Sequence, residues 1–509
     1  MNVTLIEPSR YYSPTSPVST VVIPPLGLAY IAGTLENAGH KVHIVDALSQ
    51  GFDQFTPFKS IYLRGLSNAQ ICAQIPPDTE LIGVTCMFSA QWVNVRELLR
   101  EIRRAFPRVT IVLGGEHGTA LPDLVMKQTP VDFIVTGEGE ETALELVNNI
   151  EKGLPTGNIL GTIARVDESH WTVNPRRDRM REIDHIPLPA WHLFDIEAYI
   201  RLNQPHGASR GRFMPMLATR GCPFKCTFCT SPQMWTQTWV PRDPDLVADE
   251  MELYMRRYGA TDFHFEDLTA IVKKEWIVEF CNVLIGRKLN ITFQLPSGTR
   301  SEAVDSETSV LMKKAGCHEF SFAPESGDPR VLKAIKKQVN LDALFKSAKS
   351  AMDAGINVGG FFIVGFPEDT YASILRTYRT IAKCALYGFA SVNVNPYSPQ
   401  PNTASFNELK AQGKIGELDD GYFMNLFLFQ DLGRPKFSYN ERFSSRQIAF
   451  LVLIGFGIFY SLYFLTRPWR IFTLLRDLIG KTTSTNKSAR VVSNFFKDFR
   501  SLGHAATRV

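Results

Sequence analysis

The sequence predicts an α/β protein: a doubly wound parallel sheet, then a partial six-stranded parallel barrel, then a helical C-terminal segment that is both apolar and basic. Short runs of Val, Ile and Leu alternate with helical patterns along most of the chain, as in parallel sheets covered by helices. The 509 residues also exceed what one hydrophobic core usually holds. We therefore expect three regions, at residues 1–180, 181–410 and 411–509.

The first region is predicted to contain five strands that alternate with helices, and ligands of such sheets bind beyond the carboxyl ends of the strands. Two of these ends are rich in glycine, at residues 114–120 (GGEHGTA) and 136–142 (TGEGEET). Glycine lets a backbone approach a large ligand closely, although tight turns would also explain each glycine. No G-x-G-x-x-G follows the first strand, which disfavours a dinucleotide site. The strands read NVTLIEP, KVHIVDA, ELIGVTC, TIVLGGE and FIVTGEGE.

Three of the eight cysteines, Cys222, Cys226 and Cys229, lie on one short loop, and the other five are scattered singly. We find no signal peptide, so this sparse set indicates metal binding in a reducing compartment rather than a disulfide framework. Thiolates bind iron–sulfur clusters, zinc or cuprous copper. A structural zinc site usually takes four ligands in two separated pairs, and the sequence has no second pair nearby. Three thiolates on one loop fit a cubane cluster with one open iron.

The C-x-x-x-C-x-x-C spacing, with Phe228 before the third cysteine, resembles the signature of the radical S-adenosylmethionine (SAM) superfamily. The resemblance implies that Cys222, Cys226 and Cys229 hold a 4Fe–4S cluster whose open iron binds SAM. It also implies reductive cleavage of SAM to a 5′-deoxyadenosyl radical, with an electron donor such as flavodoxin or ferredoxin.

The strands that follow the cysteines end in further patterns of this superfamily, as expected for a barrel with catalysis at the carboxyl ends of its strands. FEDLT carries an acidic pair, which helix capping would also explain, APESGD carries a strand-end E-S-G, and GGFFIVGFPED is a glycine-rich strand. In YSPQPNT, Asn402 replaces the glycine of the family pattern, which puts a backbone contact there in doubt. The resemblance implies these SAM-binding residues: Phe228, Glu266, Asp267, Arg300, Glu325, Ser326, Gly360, Val364, Gly365 and Pro367.

The first region resembles the cobalamin-binding domain at the front of many radical SAM enzymes. The resemblance lies in the ordered set PPLGLAYIAGTLENAGHKVHIVD, GGEH and DFIVTGEGEET. The motif D-x-H-x-x-G, which supplies a histidine to cobalt, is missing, and His117 stands in a different context. We therefore expect no histidine beneath the cobalt. The cobalamin-binding residues implied are Gly27, Gly114, Gly115, Glu116, His117, Gly137, Glu138 and Gly139.

The C-terminal region contains an uncharged stretch, residues 448–465, between Arg446 and Arg467. Its eighteen residues are at the lower limit for a membrane-spanning helix. The following sequence has an apolar side and a basic surplus, which suits attachment to an anionic membrane surface. The alternative is a buried helix that covers the barrel mouth or lines a substrate cavity. That side is formed by Ile471, Leu474, Leu475 and Leu478.

These resemblances imply a cobalamin-dependent radical SAM methyltransferase. It would act on an unactivated carbon of a large apolar substrate, such as a lipid, terpenoid or tetrapyrrole, through methylcobalamin. One alternative uses the same cofactors for oxidation, ring closure or ring contraction, and another is a non-catalytic binding protein. The net charge is +4, with the basic surplus confined to the C-terminal tail, so we expect no nucleic-acid partner. We expect a cytoplasmic protein, with membrane association through the C-terminal segment left open.

Overall fold

The computed structural model describes residues 1–14, 21–300, 303–428, 431, 437–472 and 475, and it confirms the predicted fold class. The first region forms a seven-stranded sheet and a separate three-stranded sheet. Its strands are β1 (Asn2–Glu7), β2 (Arg10–Tyr12), β3 (Lys41–Asp46), β4 (Phe55–Phe58), β5 (Ile61–Arg64), β6 (Leu81–Thr85), β7 (Thr110–Gly114), β8 (Phe133–Val135), β9 (Thr162–Arg165) and β10 (Trp171–Val173). Its helices are α1 (Leu26–Asn37), α2 (Ala47–Gln50), α3 (Asn68–Gln74), α4 (Trp92–Ala105), α5 (Glu116–Ala120), α6 (Pro122–Gln128) and α7 (Glu140–Glu151).

The five predicted strands of this sheet are present and parallel, in the order β3-β1-β6-β7-β8. The chain moves from β1 outward to β3 and then returns to the other side of β1 to form β6. The strand order therefore reverses between β1 and β6, which is where open α/β sheets bind ligands. The central strands are buried, and Ile6, Ile82 and Ile111 have no exposed surface.

Two antiparallel additions to this region were not predicted. The hairpin β9-β10 extends the sheet, with β9 antiparallel to β8. Strands β2, β5 and β4 form the separate sheet. All five strands are only three or four residues long, and β4 contains Pro57. They therefore lack the apolar runs that identify the central strands.

The second region is the predicted partial barrel. Its strands run β11-β14-β15-β16-β17-β18, and every neighbouring pair is parallel. The strands from here onward are β11 (Phe213–Met216), β12 (Thr219–Arg220), β13 (Val240–Pro241), β14 (Asp262–Phe265), β15 (Thr292–Thr299), β16 (Cys317–Glu325), β17 (Asn357–Val364) and β18 (Ser391–Pro396). The helices are α8 (Ile196–Leu202), α9 (Ser231–Trp235), α10 (Pro244–Tyr258), α11 (Lys274–Gly286), α12 (Ser306–Lys314), α13 (Pro329–Ala334), α14 (Leu341–Asp353), α15 (Tyr371–Tyr387), α16 (Ala404–Ala411), α17 (Asp420–Leu428) and α18 (Ser445–Thr466).

Strand β17 illustrates how the barrel is packed. Phe362 and Val364 have no exposed surface and belong to the main hydrophobic core. The alternate residues Phe361 and Ile363 are only half-buried. Because successive side chains of a strand point to opposite faces, Phe361 and Ile363 share the face opposite to that core.

Helix α18 packs against the outer helix α15 and the last barrel strand, β18, and it reaches Gly365 at the end of β17 through Ile448. The hydroxyl of Tyr378 on α15 donates to the carbonyl of Leu451 at 2.7 Å. Gly455 allows this close approach, because a Cβ there would lie 3.2 Å from both methyl groups of Val394. Among the described residues, α18 is the one helix long and apolar enough to cross a membrane. The buried side of α18 consists of Ile448, Val452, Gly455, Phe459 and Tyr463.

The residues between the barrel and α18 return to the first region. Helix α17 packs on α4 and on the short turn Ser89–Gln91. Asp420, at the start of α17, pairs with Arg96 of α4 at 2.8 Å and with Lys59 at 3.1 Å. The region boundaries at residues 180 and 410 stay predictions. The predicted positions Leu474 and Leu478, and the basic tail from residue 476 onward, lie outside the described residues.

The packing of α18 gives a matched pair of substitutions. Phe459 has no exposed surface, whereas the Phe450 side chain on the same helix is 63% exposed. We expect Phe459→Ala to lower the free energy of unfolding by about 3–5 kcal/mol, because it leaves a cavity between α18 and the barrel. Phe450→Ala should change it by less than about 0.5 kcal/mol. Urea unfolding followed by circular dichroism measures both, and equal effects would contradict the observed packing.

Candidate active site between the sheet and the barrel

The three cysteines lie on the loop between β12 and α9, at the edge of the barrel. Gly221, just before Cys222, has a φ of 85°, and a Cβ there would lie 2.1 Å from the carbonyl oxygen of Thr238. The loop is held from two other elements, since the Thr227 N–H donates to the carbonyl of Ile335 at 3.0 Å. The Thr227 carbonyl in turn accepts from the N–H of Ser405 at 2.9 Å. The protein itself therefore fixes the loop's path.

All three thiols are half-buried, and burial raises the pKa of each one. For Cys229 burial raises the pKa to about 12, although the Ser231 N–H donates to its Sγ at 3.4 Å and works in the opposite direction. Such thiols are protonated at neutral pH, so metal binding has to release their protons.

A buried ion pair lies beside the thiols. Lys337 donates to Oε1 of Glu325 at 3.0 Å. Burial alone would lower the pKa of Lys337, but the Glu325 carboxylate beside it outweighs burial and the pKa ends raised. Lys337 is therefore a cation whose charge favours the thiolate forms of Cys226 and Cys229. Glu325 has a φ of 63°, a left-handed conformation that is unusual for a residue with a side chain and is often found at functional sites.

Glu266 and Asp267, which follow β14, have different hydrogen-bond partners. Asp267 is 1% exposed and accepts hydrogen bonds from the backbone N–H groups of Ala218 and Thr219 and from the Thr219 hydroxyl. Burial raises its pKa to about 6. Its carboxylate is thus committed to the backbone that leads into the cysteine loop. Glu266 pairs through Oε2 with Nδ1 of His206 at 2.7 Å. Its Oε1 is buried and, among the described residues, has no hydrogen-bond partner.

The remaining predicted SAM-binding residues lie around the same ends of the barrel strands. Ser326 is buried, and its hydroxyl accepts from the Asp328 N–H at 3.1 Å. Gly365, after β17, has a φ of 86°, and its N–H donates to Oδ2 of Asp369 at 2.9 Å. Gly360 and Val364 lie within β17 itself: a Cβ at Gly360 would meet Phe389, and the Val364 side chain packs in the main core.

The last three predicted SAM-binding residues are Phe228, Arg300 and Pro367, and Phe228 lies on the cysteine loop itself. The ring of Phe228 packs edge-on against Phe366, with centroids 5.5 Å apart. The guanidinium of Arg300 lies 3.9 Å from the ring centre of Phe224, which stands between the first two cysteines. The Pro367 carbonyl accepts from the side-chain amide of Asn440 at 3.2 Å. These contacts place aromatic and cationic groups around the loop.

The glycine-rich ends of the first sheet adopt conformations that need glycine. Gly115 has a φ of 105°, and a Cβ there would lie 2.6 Å from the carbonyl oxygen of Cys86. Gly137 has a φ of 70°. Gly27 begins α1 at the switch point, where a Cβ would lie 4.0 Å from Cε of Met87. Gly114 and Gly139 complete this edge, and a Cβ at Gly114 would meet nothing within 4 Å.

His117 and Glu116 point into the protein. His117 has no exposed surface and stacks on Trp92 with centroids 4.3 Å apart, and its Nδ1 lies 2.9 Å from the Ser89 hydroxyl. Burial lowers the pKa of His117 to about 3 and raises that of Glu116 to about 7. The predicted cobalamin contacts of Glu116 and His117, and the expected lack of a histidine beneath the cobalt, stay predictions.

Buried ion pairs join the glycine-rich edge of the sheet to the cysteine loop. Arg220, two residues before Cys222, pairs with Glu140 at 2.5 Å, and both side chains are under 10% exposed. The guanidinium of Arg220 also lies 3.6 Å from Oε1 of Glu138, which pairs within the first region with Arg179 at 2.7 Å. Burial alone would raise the pKa of Glu140, but Arg220 outweighs it and holds the pKa below its usual range. The two predicted cofactor-binding edges therefore face each other across one interface.

A second set of contacts across this interface involves α9, which follows the cysteines directly. Helix α9 packs on α5, and Arg176 donates to the carbonyls of Gln233 and Met234. Both Arg179 and Arg220 lie over the ring of Trp235, at 5.1 Å and 6.0 Å from its centroid. The interface thus combines charge pairing with stacked guanidinium groups.

Sequence reasoning did not single out four groups that the structure brings to this site. Met87 and Phe88 follow β6 at the switch point and are 40% and 53% exposed. Lys337, His206 and the Arg220–Glu140 pair depend on long-range contacts that leave no local pattern. Of these groups, only Met87 and Phe88 could have been recognised from the sequence, because large apolar residues just after a parallel strand lie on the ligand side of the sheet.

The donor set fits the expected cluster. Within the described ranges, no three Cys, His, Asp or Glu side chains converge closely enough to bind a single metal ion. A cubane cluster needs no such convergence, because each of its cysteines binds a different iron. The cysteines are close enough that a thiolate at Cys222 raises the pKa of both Cys226 and Cys229. Lys337 lowers both pKa values. Three cysteines on one loop, with a cation beside them, fit a cluster that takes one thiolate per iron.

Comparisons with known proteins agree with this architecture. The B12 binding domain family matches residues 18–147, and the radical SAM superfamily matches residues 216–381. An uncharacterised methyltransferase of Pyrococcus horikoshii is 30% identical over 363 residues, which are 71% of this chain and 73% of the relative. Cytidylyl-2-hydroxyethylphosphonate methyltransferase of Streptomyces wedmorensis is 29% identical over 432 residues, 79% of this chain and 80% of the relative. Anaerobic magnesium-protoporphyrin IX monomethyl ester cyclase of Rubrivivax gelatinosus is 26% identical over 414 residues, which are 80% of this chain and 70% of the relative.

Two solved structures share the fold of the whole chain. The radical SAM methyltransferase TsrM of Kitasatospora setae, with cobalamin and a [4Fe–4S] cluster bound, superposes with a TM-score of 0.65 at 17% identity. The match covers 98% of this chain and 99% of TsrM. The cobalamin-dependent SAM radical enzyme OxsB gives a TM-score of 0.70 at 15% identity and covers 98% of this chain and 75% of OxsB.

A radical SAM barrel docked on a B12 binding domain defines an enzyme that combines radical SAM chemistry with cobalamin. The chain belongs to the cobalamin-dependent radical SAM enzymes. Its cofactors are a 4Fe–4S cluster, SAM and cobalamin.

The Arg220–Glu140 pair gives a test of the interface. Arg220→Met leaves Glu140 buried and unpaired, and we expect the free energy of unfolding to fall by about 3–5 kcal/mol. The double variant Arg220→Met/Glu140→Leu should recover most of that loss, because neither charge is then buried alone. Since the folded-state pKa of Glu140 is depressed, the pair should stabilise the protein above pH about 4.3 and lose this effect as pH falls further. Additive effects of the two substitutions would contradict the pairing.

Proposed function

We propose that this enzyme is a methyltransferase that transfers the methyl group of SAM to an unactivated carbon of a small-molecule substrate. The observation that carries the proposal is the docking of the cysteine loop against the glycine-rich edge of the first sheet, through Arg220 and Glu140. This arrangement supports a single reaction centre that both cofactors can reach. The two methyltransferases among the relatives, which align over 71% and 79% of this chain, support the same reaction type.

The residues of the chain bind and orient in this proposal, because the cofactors supply the difficult chemistry when bound: a radical from SAM and a methyl group on cobalt. Cys222, Cys226 and Cys229 hold the cluster and leave one iron open. Lys337 offsets the negative charge of the thiolates. Gly115 and Gly137 let the backbone of the first region approach the corrin ring. A flavodoxin or ferredoxin donates the electron.

Glu266 is our candidate for binding the ammonium group of SAM. Its Oε1 is a buried acceptor with no partner in the described part of the chain, and its Oε2 is held by His206. A buried carboxylate oxygen without a donor is costly, so a ligand cation is its natural partner. His206 acts as a positioning residue, since a hydrogen bond at one oxygen orients the other.

The substrate side of the proposal rests on exposed apolar groups at the strand ends. Met87, Phe88 and Leu268 are 40%, 53% and 42% exposed, although each follows a buried strand. Apolar surface at this edge favours a substrate with a large apolar part. The names of the relatives span a cytidylyl phosphonate and a magnesium protoporphyrin ester, so substrate chemistry varies within the family.

A second reaction type is favoured by the cyclase relative, which aligns over 80% of this chain. In that alternative the same cofactors close a ring without transferring a methyl group.

Methyl-deuterated SAM separates the two reaction types. The protein is reconstituted with cluster and cobalamin, reduced, and incubated with a cytidylyl phosphonate, a protoporphyrin ester and tryptophan. Methyl transfer predicts a deuterated product together with 5′-deoxyadenosine and S-adenosylhomocysteine, and Cys229→Ala should lose the product and the 5′-deoxyadenosine. A changed substrate without label, accompanied by 5′-deoxyadenosine, would overturn methyl transfer and favour ring closure.

The role of Glu266 is tested by SAM binding. In the reconstituted protein we expect Glu266→Gln to weaken SAM binding by about tenfold to a hundredfold, since a charged hydrogen bond contributes about 1.5–3 kcal/mol. His206→Ala should weaken it less, and His206→Asn, which keeps a donor, should restore part of the loss. Glu275→Gln, at an exposed position of α11, is the matched control. Equilibrium dialysis with labelled SAM measures all four, and unchanged affinity in Glu266→Gln would contradict this assignment.

A further inference from the structure

The outward face of α18 differs from the outward faces of the other barrel helices. Helices α10, α11, α12, α14 and α15 all carry charged residues, as expected for the solvent side of an outer layer. Helix α18 has no Asp, Glu, Lys or Arg after Arg446. Its outward positions recur every three or four residues and form a single line along the helix. We call this line the apolar stripe; its large apolar residues are Phe450, Leu453 and Leu465, and it also includes Gly457 and one polar residue, Ser461.

The apolar stripe continues beyond the end of α18. Leu465 is 77% exposed, and Trp469 and Phe472 are 61% and 73% exposed. Between them, Tyr460, Phe464 and Pro468 line a shallow groove. Monomeric proteins seldom expose a contiguous apolar surface of this kind without a binding partner.

The other side of α18 excludes a membrane-spanning arrangement in this fold. Phe459 and Val452 are at most 1% exposed, and they pack in the main core of the barrel. Arg467 donates to the carbonyls of Ala385 and Leu386, and Arg470 donates to the carbonyl of Gly388. A spanning helix would have to break all of these contacts. The helix therefore lies along the barrel surface, with only its stripe available to a partner.

We propose that the apolar stripe docks on an anionic membrane surface, with α18 parallel to the plane of the membrane. The charge pattern favours this partner. Arg446 precedes the stripe, and residues 476–508, which follow it in the sequence, contain seven Lys or Arg against two Asp. Apolar groups bordered by a basic surplus are typical of helices that bind anionic lipids in the interface. Trp469 and Tyr460 are of the residue types enriched at that depth.

Two other partners could cover the stripe and are separated by the test. A second copy of this chain would bury one stripe against another, which predicts a dimer in the absence of lipid. The C-terminal residues 476–509 could instead cover it within one chain. Neither alternative predicts that binding depends on the charge of a lipid.

The test uses the full chain and vesicles. The protein is sedimented with phosphatidylcholine vesicles that contain about 30% phosphatidylglycerol, and with pure phosphatidylcholine vesicles. We expect binding to the anionic vesicles that weakens as salt is raised, and much weaker binding to the neutral ones. Phe450→Glu/Leu453→Glu should reduce binding to the anionic vesicles at least tenfold.

The matched control places the same two charges elsewhere. Val166 and Val173 are 68% and 63% exposed in the first region, and Val166→Glu/Val173→Glu should leave vesicle binding unchanged. Both double variants should retain SAM cleavage, because neither pair touches the proposed site, so this result is independent of the reaction.

Three outcomes would overturn the proposal. The first is the lack of vesicle binding by the wild-type chain, or equal binding to both kinds of vesicle. The second is a lipid-free dimer that Phe450→Glu/Leu453→Glu dissociates, which would assign the stripe to a second copy. The third is vesicle binding that appears only when residues 476–509 are removed, which would assign it to the chain's own C-terminus.

Discussion

The buried ion pair between Arg220 and Glu140 is the contact on which the rest of the site depends. Each charge would cost several kcal/mol to bury alone, so each residue requires the other. Arg220 is two residues before the first cluster cysteine, and Glu140 begins the helix after the glycine-rich end of β8. The pair therefore fixes the cysteine loop against the glycine-rich edge of the sheet in the region that matches the B12 binding domain family. Glu138 reinforces the same contact, because its Oε1 lies 3.6 Å from the guanidinium of Arg220.

Several features of the barrel can be understood from this docking. Asp267 holds the backbone of Ala218 and Thr219, which leads into Arg220. Lys337 and Glu325 form a neutral pair that can remain buried beside the thiols. Among the described residues, Oε1 of Glu266 is a buried acceptor without a hydrogen-bond partner, which is why we propose it as a contact for SAM. Parallel strands bring all of these groups to one side, because their carboxyl ends lie at the same edge.

The sequence was sufficient for the central strands and for the chemistry of the cysteine loop. Buried parallel strands have continuous apolar runs, and C-x-x-x-C-x-x-C is local, so both are readable without a structure. The hairpin β9-β10 and the sheet β2-β5-β4 were missed because their strands are too short to show a pattern. The different hydrogen-bond partners of Asp267 and Glu266 could not be predicted, because the two residues are adjacent in the sequence and their partners are distant in it. Whether α18 covers the barrel mouth or its outer wall likewise depends on packing against α15 and β18.

The central claim is that the cluster and cobalamin share one interface. Electron paramagnetic resonance on protein loaded with both, and reduced to the paramagnetic cluster and cob(II)alamin, tests it directly. We predict a magnetic interaction between the two centres that disappears in Cys229→Ala, where cobalamin remains bound. Two fully occupied centres whose signals show no interaction would contradict the account.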